Sequence, residues 1–171
     1  ETWFWAEVTA ADPVPTSVTI HTDLVARRGV FKLRVRFAGY SHLPADPDHA
    51  VELSWNGQAI GKAVWDGEAP FTFERTIDQA SLKEGDNTLA VRATGEKTGG
   101  IDLVLLDWVE VSYERTHQLG VQGQTLVTAP PGTPVRILGT RGPVEVFDPH
   151  GAEVFTAPSR GDHAEFVVPA P

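Results

Sequence analysis

Apolar and polar residues alternate in short runs along this chain, a period of two that predicts many strands and turns and few helices. The longest apolar run, Ile101 to Tyr113, is rich in β-branched, Leu and aromatic residues. It is bounded by Gly99-Gly100 and by Glu114-Arg115-Thr116, and it reads as the central strand of a β-sandwich. Strict alternation puts Leu103, Leu105, Asp107, Val109 and Val111 on one face. Asp107 is then a carboxylate on an otherwise apolar face, and burying it costs roughly several kcal/mol unless it is paired, hydrogen-bonded or metal-bound.

The other strands follow from the same pattern. Thr2 to Val8 is a short aromatic strand with Trp3 and Trp5 on one face, stopped by Asp12-Pro13-Val14-Pro15, and Ser17 to His21 is a second. From Phe31 to Phe37, Phe31, Leu33, Val35 and Phe37 face a core while Lys32, Arg34 and Arg36 face out, toward acidic neighbours such as Glu52. His49 to Trp55 has His49, Val51, Leu53 and Trp55 on one side, and Asn56-Gly57 then predicts a tight hairpin into Gln58 to Trp65. Strands over Phe71 to Ile77 and Thr88 to Ala93 complete a first unit. Beyond His117 the strands shorten between Pro and Gly: Thr125–Thr128, Val135–Leu138, Val144–Phe147, Val154–Thr156 and Ala164–Val168. The expected organisation is an all-β jelly-roll sandwich of the galactose-binding-like kind over residues 1–116, followed by a small second β unit over 117–171.

Charge and composition remove several function classes. A formal net charge of −9 repels a phosphate backbone, which speaks against nucleic acid and against an anionic membrane surface. The chain has no cysteine, so a disulfide, a thiol nucleophile and a Cys-type zinc site are all excluded. No apolar run reaches the ~18 residues that span a bilayer, so no membrane insertion is expected. The chain opens at Glu1 and contains no Met, as expected of a piece of a longer protein.

Three motifs recur here in a fixed order: the Trp-rich first strand; His49 to Gly61 with its Trp55-Asn56-Gly57 turn and the following Trp65-Asp66-Gly67; and Leu82 to Leu89 leading into Leu105 to Arg115. The arrangement resembles the jelly-roll region that precedes the catalytic domain in secreted, bacterial, gingipain-type cysteine peptidases. Val144 to Pro149 is similar to the short β segment that leads toward the peptidase. The resemblance implies a non-catalytic accessory domain that packs against its own downstream catalytic domain, since the catalytic His and Cys of that family have no counterpart here. Asn-Gly hairpins also mark sugar-binding sandwiches, which leaves open a carbohydrate-binding module or a structural or adhesion domain of a surface protein.

Candidate chemistry is sparse. No Gly-x-Ser-x-Gly elbow occurs, and the six His residues are spread over turns and strand ends. For a glycan, Trp65, Trp55 and Tyr40 are the candidate stacking residues, although most tryptophans, including Trp5 and Trp108, suit a sandwich core. The loop from His42 to His49 gathers two imidazoles and two carboxylates, a donor set that suits zinc or calcium, but its two prolines and irregular spacing favour a solvated loop. Resemblance to sugar-binding jelly rolls implies a structural calcium ion held by Glu7 and Asp107. The alternative leaves Glu7 exposed and Asp107 hydrogen-bonded inside the sandwich.

Overall fold

The structure is a computed structural model of the chain and describes residues 4–26, 28–42, 46–95, 101–118 and 123–170. It divides into two compact units, Glu1–Glu114 and Arg115–Pro171.

The first unit is an all-β jelly-roll sandwich. Its strands are β1 (Ala6–Thr9), β2 (Thr16–Thr22), β3 (Val30–Gly39), β4 (His49–Trp55), β5 (Gln58–Trp65), β6 (Pro70–Asp78), β7 (Gly85–Ala93) and β8 (Leu103–Ser112). They form two antiparallel four-stranded sheets, in the orders β1-β8-β3-β6 and β2-β7-β4-β5. Phe31, Leu33, Val35 and Phe37 of β3 enter one core with Val51, Leu53 and Trp55 of β4 and Leu89 and Val91 of β7. Each such side chain contributes about 1.5–3 kcal/mol by leaving water, so the two inner faces hold the sandwich together. The β4–β5 hairpin turns at Asn56 (φ 49°) and Gly57 (φ 83°), where positive φ at both positions matches the right-handed twist of the strands.

Buried amides replace regular pairing where the chain leaves the sheets. Gln79, in a 3-10 turn after β6, donates from Nε2 to the carbonyls of Ala26 (2.7 Å) and Glu114 (2.8 Å) and accepts the Glu114 N–H at Oε1 (3.1 Å). One side chain thereby satisfies two connections that have no strand partner.

Strand β8 departs from the alternation read in the sequence. Phe37 pairs with Leu106 and Arg36 with Trp108, so Asp107 is an extra residue in a β-bulge. Before the bulge Val104 and Leu106 are buried; after it Val109 and Val111 pack on the core. Leu103 and Leu105 therefore belong to the outer side, and Asp107 is not a carboxylate on the core face. Fully buried carboxylates lie instead at Asp102, at the approach to β8, and at Asp48, just before β4. In the first strand Thr2 and Trp3 lie outside the described residues, and pairing begins at Ala6.

The second unit contains β9 (His117–Gln118), β10 (Pro134–Leu138), β11 (Val144–Phe147), β12 (Glu153–Ala157), β13 (Ser159–Arg160) and β14 (His163–Val167). Strands β13-β14-β10-β9 make one sheet and β11-β12 a separate hairpin, with Val135, Ile137, Ala157 and Ala164 buried. Phe155 meets Phe166 edge-on, with ring centroids 5.3 Å apart. Residues 125–128 form no strand: the alternation there is too short, and Pro130-Pro131 follows.

Candidate ligand-binding face

Among the described residues of the first unit, exposed Trp5 and Tyr40 lie at the ends of strands in sheet β1-β8-β3-β6, and partly buried Trp108 lies on the outer face of that sheet. Ala6 and Val8 of β1 turn toward the core, so the residues of opposite parity, Trp5 and Glu7, turn outward. Trp5 is 59% exposed, and its backbone N–H donates to the Leu106 carbonyl at 2.8 Å, beside the bulge. The bulge places Trp108 opposite Arg36, outside the core. Its ring lies under the Arg34 guanidinium, 5.3 Å from carbon to centroid. At the other end the chain continues past Gly39 to Tyr40, which is 63% exposed and donates its N–H to the Leu103 carbonyl at 3.1 Å. Partly buried Leu103, Leu105 and Ala38 lie between.

The β3 cations on this face are closed into pairs. Arg34 donates from Nε to Glu74 (2.8 Å) and from Nη1 to Glu110 (3.2 Å), Lys32 Nζ lies 3.2 Å from Glu74, and Arg36 Nε lies 3.5 Å from Asp107. The Arg34 hydrogen bond, followed by that of Lys32, holds the Glu74 carboxyl below the usual carboxylate range. The acidic partners of the β3 cations are thus Glu74, Glu110 and Asp107. Glu52, the partner expected from the sequence, is on the opposite sheet and binds Arg92 at 2.5 Å.

Of the stacking residues read from the sequence, Tyr40 is on this face and the two tryptophans are not. Trp55 is 1% exposed and packs on Phe31 at 5.3 Å. Trp65 is 8% exposed and lies between Phe37 (5.7 Å) and Phe71 (5.0 Å), stacked on both. Their ring faces belong to the core, so neither offers a platform. Trp5 and Trp108 are the reverse case, assigned to the core by aromatic character yet placed outside. The signal for them was parity, since Trp5 alternates with Glu7 and Trp108 with Glu110 and Ser112.

Glu7 is exposed on β1 opposite Leu105, while Asp107 is engaged by Arg36. Among the described residues no group of three or more His, Asp or Glu is arranged to hold a metal ion. The His42–His49 loop, of which residues 43–45 lie outside the described residues, is not a solvated donor set at its end: Asp48 and His49 are fully buried. His49 Nδ1 lies 2.7 Å from Asp102 Oδ1, Asp102 Oδ2 accepts the Ala50 N–H at 3.1 Å, and Asp48 Oδ1 accepts the Gly67 N–H at 2.9 Å. This Asp-His pair has no access to substrate, because the ring packs against the backbone of Gly39.

No family model matches the chain, and no curated protein matches it. Among solved structures the chain is similar to dimeric latent PorU from Porphyromonas gingivalis, with 15% identity and a TM-score of 0.61 over 98% of this chain and 17% of that one. The chain thus spans about a sixth of PorU's length. It is more distantly similar to the C-terminal domain of EclA, a sugar-binding protein, with 10% identity and a TM-score of 0.45 over 66% of this chain and 80% of that one. A family 35 carbohydrate-binding module from an environmental isolate follows, with 18% identity and a TM-score of 0.40 over 68% of this chain and 74% of that one. At these identities the likeness is one of fold.

Proposed function

We propose that the chain is a non-catalytic accessory region of a longer, secreted bacterial protein of the gingipain-like kind, and that it packs against that protein's own downstream catalytic domain. The observation that carries this reading is the fold likeness to PorU, which runs through both units and covers 98% of the chain. The absence of cysteine from the sequence and the sealed His49–Asp102 pair support a non-catalytic role. An extracellular setting is consistent with the described residues, among which no helix is long and apolar enough to cross a membrane. Translation of the coding sequence downstream of Pro171 tests the proposal. An α/β pattern with a His-Gly pair and, further on, a Cys after an apolar strand supports it. A glycosidase domain or a cell-wall anchor overturns it.

A second reading, a carbohydrate-binding module, is favoured by one observation: exposed Trp5 and Tyr40 and partly buried Trp108 belong to the outer side of one sheet. Quenching or a shift of tryptophan emission on titration with polysaccharide is the expected result for a sugar binder. An unchanged spectrum speaks for a purely structural module.

A further inference from the structure

We infer that the outer face of sheet β1-β8-β3-β6 binds an internal stretch of a neutral polysaccharide, with exposed Trp5 and Tyr40 and partly buried Trp108 as its aromatic residues. The inference rests on the carbohydrate-binding reading and gives that reading a site and a ligand class.

Three features select this ligand. First, a pyranose ring presents C–H groups on its faces and hydroxyls at its rim, so it needs an aromatic surface beside hydrogen-bonding groups. Here Trp108 and Trp5 adjoin Arg36, Asp107 and Thr72, whose Oγ1 accepts from Arg36 Nη1 at 3.4 Å. Second, the surface is an open sheet. From Arg36 to Tyr40 it extends four residues, about 13 Å at 3.3 Å per residue, which accommodates roughly two or three sugar rings. A polymer lies along such a surface and continues beyond it, whereas a terminal sugar needs a closed pocket.

Third, the charges exclude an anionic glycan. Lys32, Arg34 and Arg36 are matched by Glu74, Glu110 and Asp107, and Glu7 adds one more carboxylate at the β1 edge. An acidic polymer gains no free cation here and meets a chain of net charge −9. An uncharged polymer uses the same paired groups as fixed hydrogen-bond donors and acceptors, already oriented before it arrives.

The test is affinity electrophoresis of the full 171-residue chain through gels containing hydroxyethylcellulose, laminarin or glucomannan, with alginate as the anionic arm. Trp5→Ala and Tyr40→Ala, both at exposed positions, and Trp108→Ala are run beside it, with circular dichroism confirming the fold. The expected result is retardation by at least one neutral polymer, weakened roughly tenfold by Trp5→Ala and by Trp108→Ala and restored in part by Trp5→Phe. Retardation that none of the three alanine variants changes overturns the site while the carbohydrate-binding reading stands. Failure of every polymer to retard the chain overturns both. Retardation by alginate alone overturns the ligand class.

Discussion

His49 Nδ1 and Asp102 Oδ1 lie 2.7 Å apart with both side chains fully buried, and this bond fastens the start of β4 to the approach to β8. The same carboxylate accepts the Ala50 N–H, so a single group serves two donors that have no other partner nearby. Asp102→Ala leaves a ring N–H and a backbone N–H buried and unpaired. The expected loss is about 3 kcal/mol or more, read as a lower urea midpoint at unchanged slope. Asp102→Asn keeps one carbonyl acceptor and is expected to lose about half as much.

Gly39 is required for space. A Cβ at this position overlaps both His49 Nε2 and the Gly67 carbonyl oxygen, and the latter is backbone that cannot swing aside. Gly39→Ala is therefore expected to cost at least about 1–3 kcal/mol by overpacking and to alter Trp65 fluorescence, because the Trp65 ring lies 5.1 Å from His49. Gly57 supplies the contrast. It has open space around it and φ of 83°, so Gly57→Ala is expected to cost only the left-handed backbone penalty, about 1–2 kcal/mol. Thermal unfolding of both variants separates a steric cost from a conformational one.

These two glycines show where sequence reading reached and where it stopped. Asn56-Gly57 was legible because a tight hairpin constrains its own two residues, and the β3 alternation was legible because each side chain has only two directions to take. Gly39 was not, since its need arises from His49, ten residues further along and on the opposite sheet. The bulge at Asp107 was hidden for a related reason: the extra residue is defined against β3, and β8 read alone alternates without a break. The expectation of a carboxylate inside the sandwich had a physical basis, but it fell on Asp107 where the fold buries Asp102. The face bearing Trp5 and Trp108 was missed for a different reason, since aromatic character assigned both to the core against their own alternation, while Tyr40, just past the end of β3, was found.

His21 contributes a pH dependence near neutrality. Its Nδ1 lies 2.8 Å from Asp86 Oδ1, and that hydrogen bond, with Asp86, Asp23 and Glu84 as nearby negative charges, raises the imidazole above its ordinary value of 6.5. A raised folded-state value means that the pair's stabilisation is fully present below pH 6.5 and is lost as pH rises through the folded value. Both side chains are about 70% exposed, so the effect on stability is small and screened by salt. An NMR titration is expected to find His21 above 6.5, moving back toward it in Asp86→Asn. A titration unchanged by that substitution contradicts the assignment to Asp86.

Asn87 provides the strictest test of the fold, because its buried amide joins three separate segments. Its Oδ1 accepts the Lys83 N–H and the Asn56 Nδ2–H, each at 2.9 Å. Its Nδ2 donates to Thr22 Oγ1 and the Lys83 carbonyl, each at 3.0 Å, and to the Gly85 carbonyl at 3.2 Å. The end of β2, the β4–β5 hairpin and the loop before β7 therefore share one side chain. Asn87→Leu preserves bulk while removing the oxygen and the nitrogen together, leaving buried donors and acceptors in all three segments unpaired. With one to three groups exposed to the full desolvation penalty, the expected loss is roughly 2–5 kcal/mol. Asn87→Asp retains the acceptor for Lys83 and Asn56 and loses only the donor, at the cost of placing a charge against two carbonyls. Hydrogen exchange distinguishes this hub from a general core defect. The amides of Lys83 and Thr88 are expected to lose protection first, since the Thr88 N–H depends on Asn56 Oδ1 at 3.0 Å and Asn56 is oriented by Asn87. Uniform loss of protection across β3 and β8 instead places the role of Asn87 in the packing of the whole sandwich.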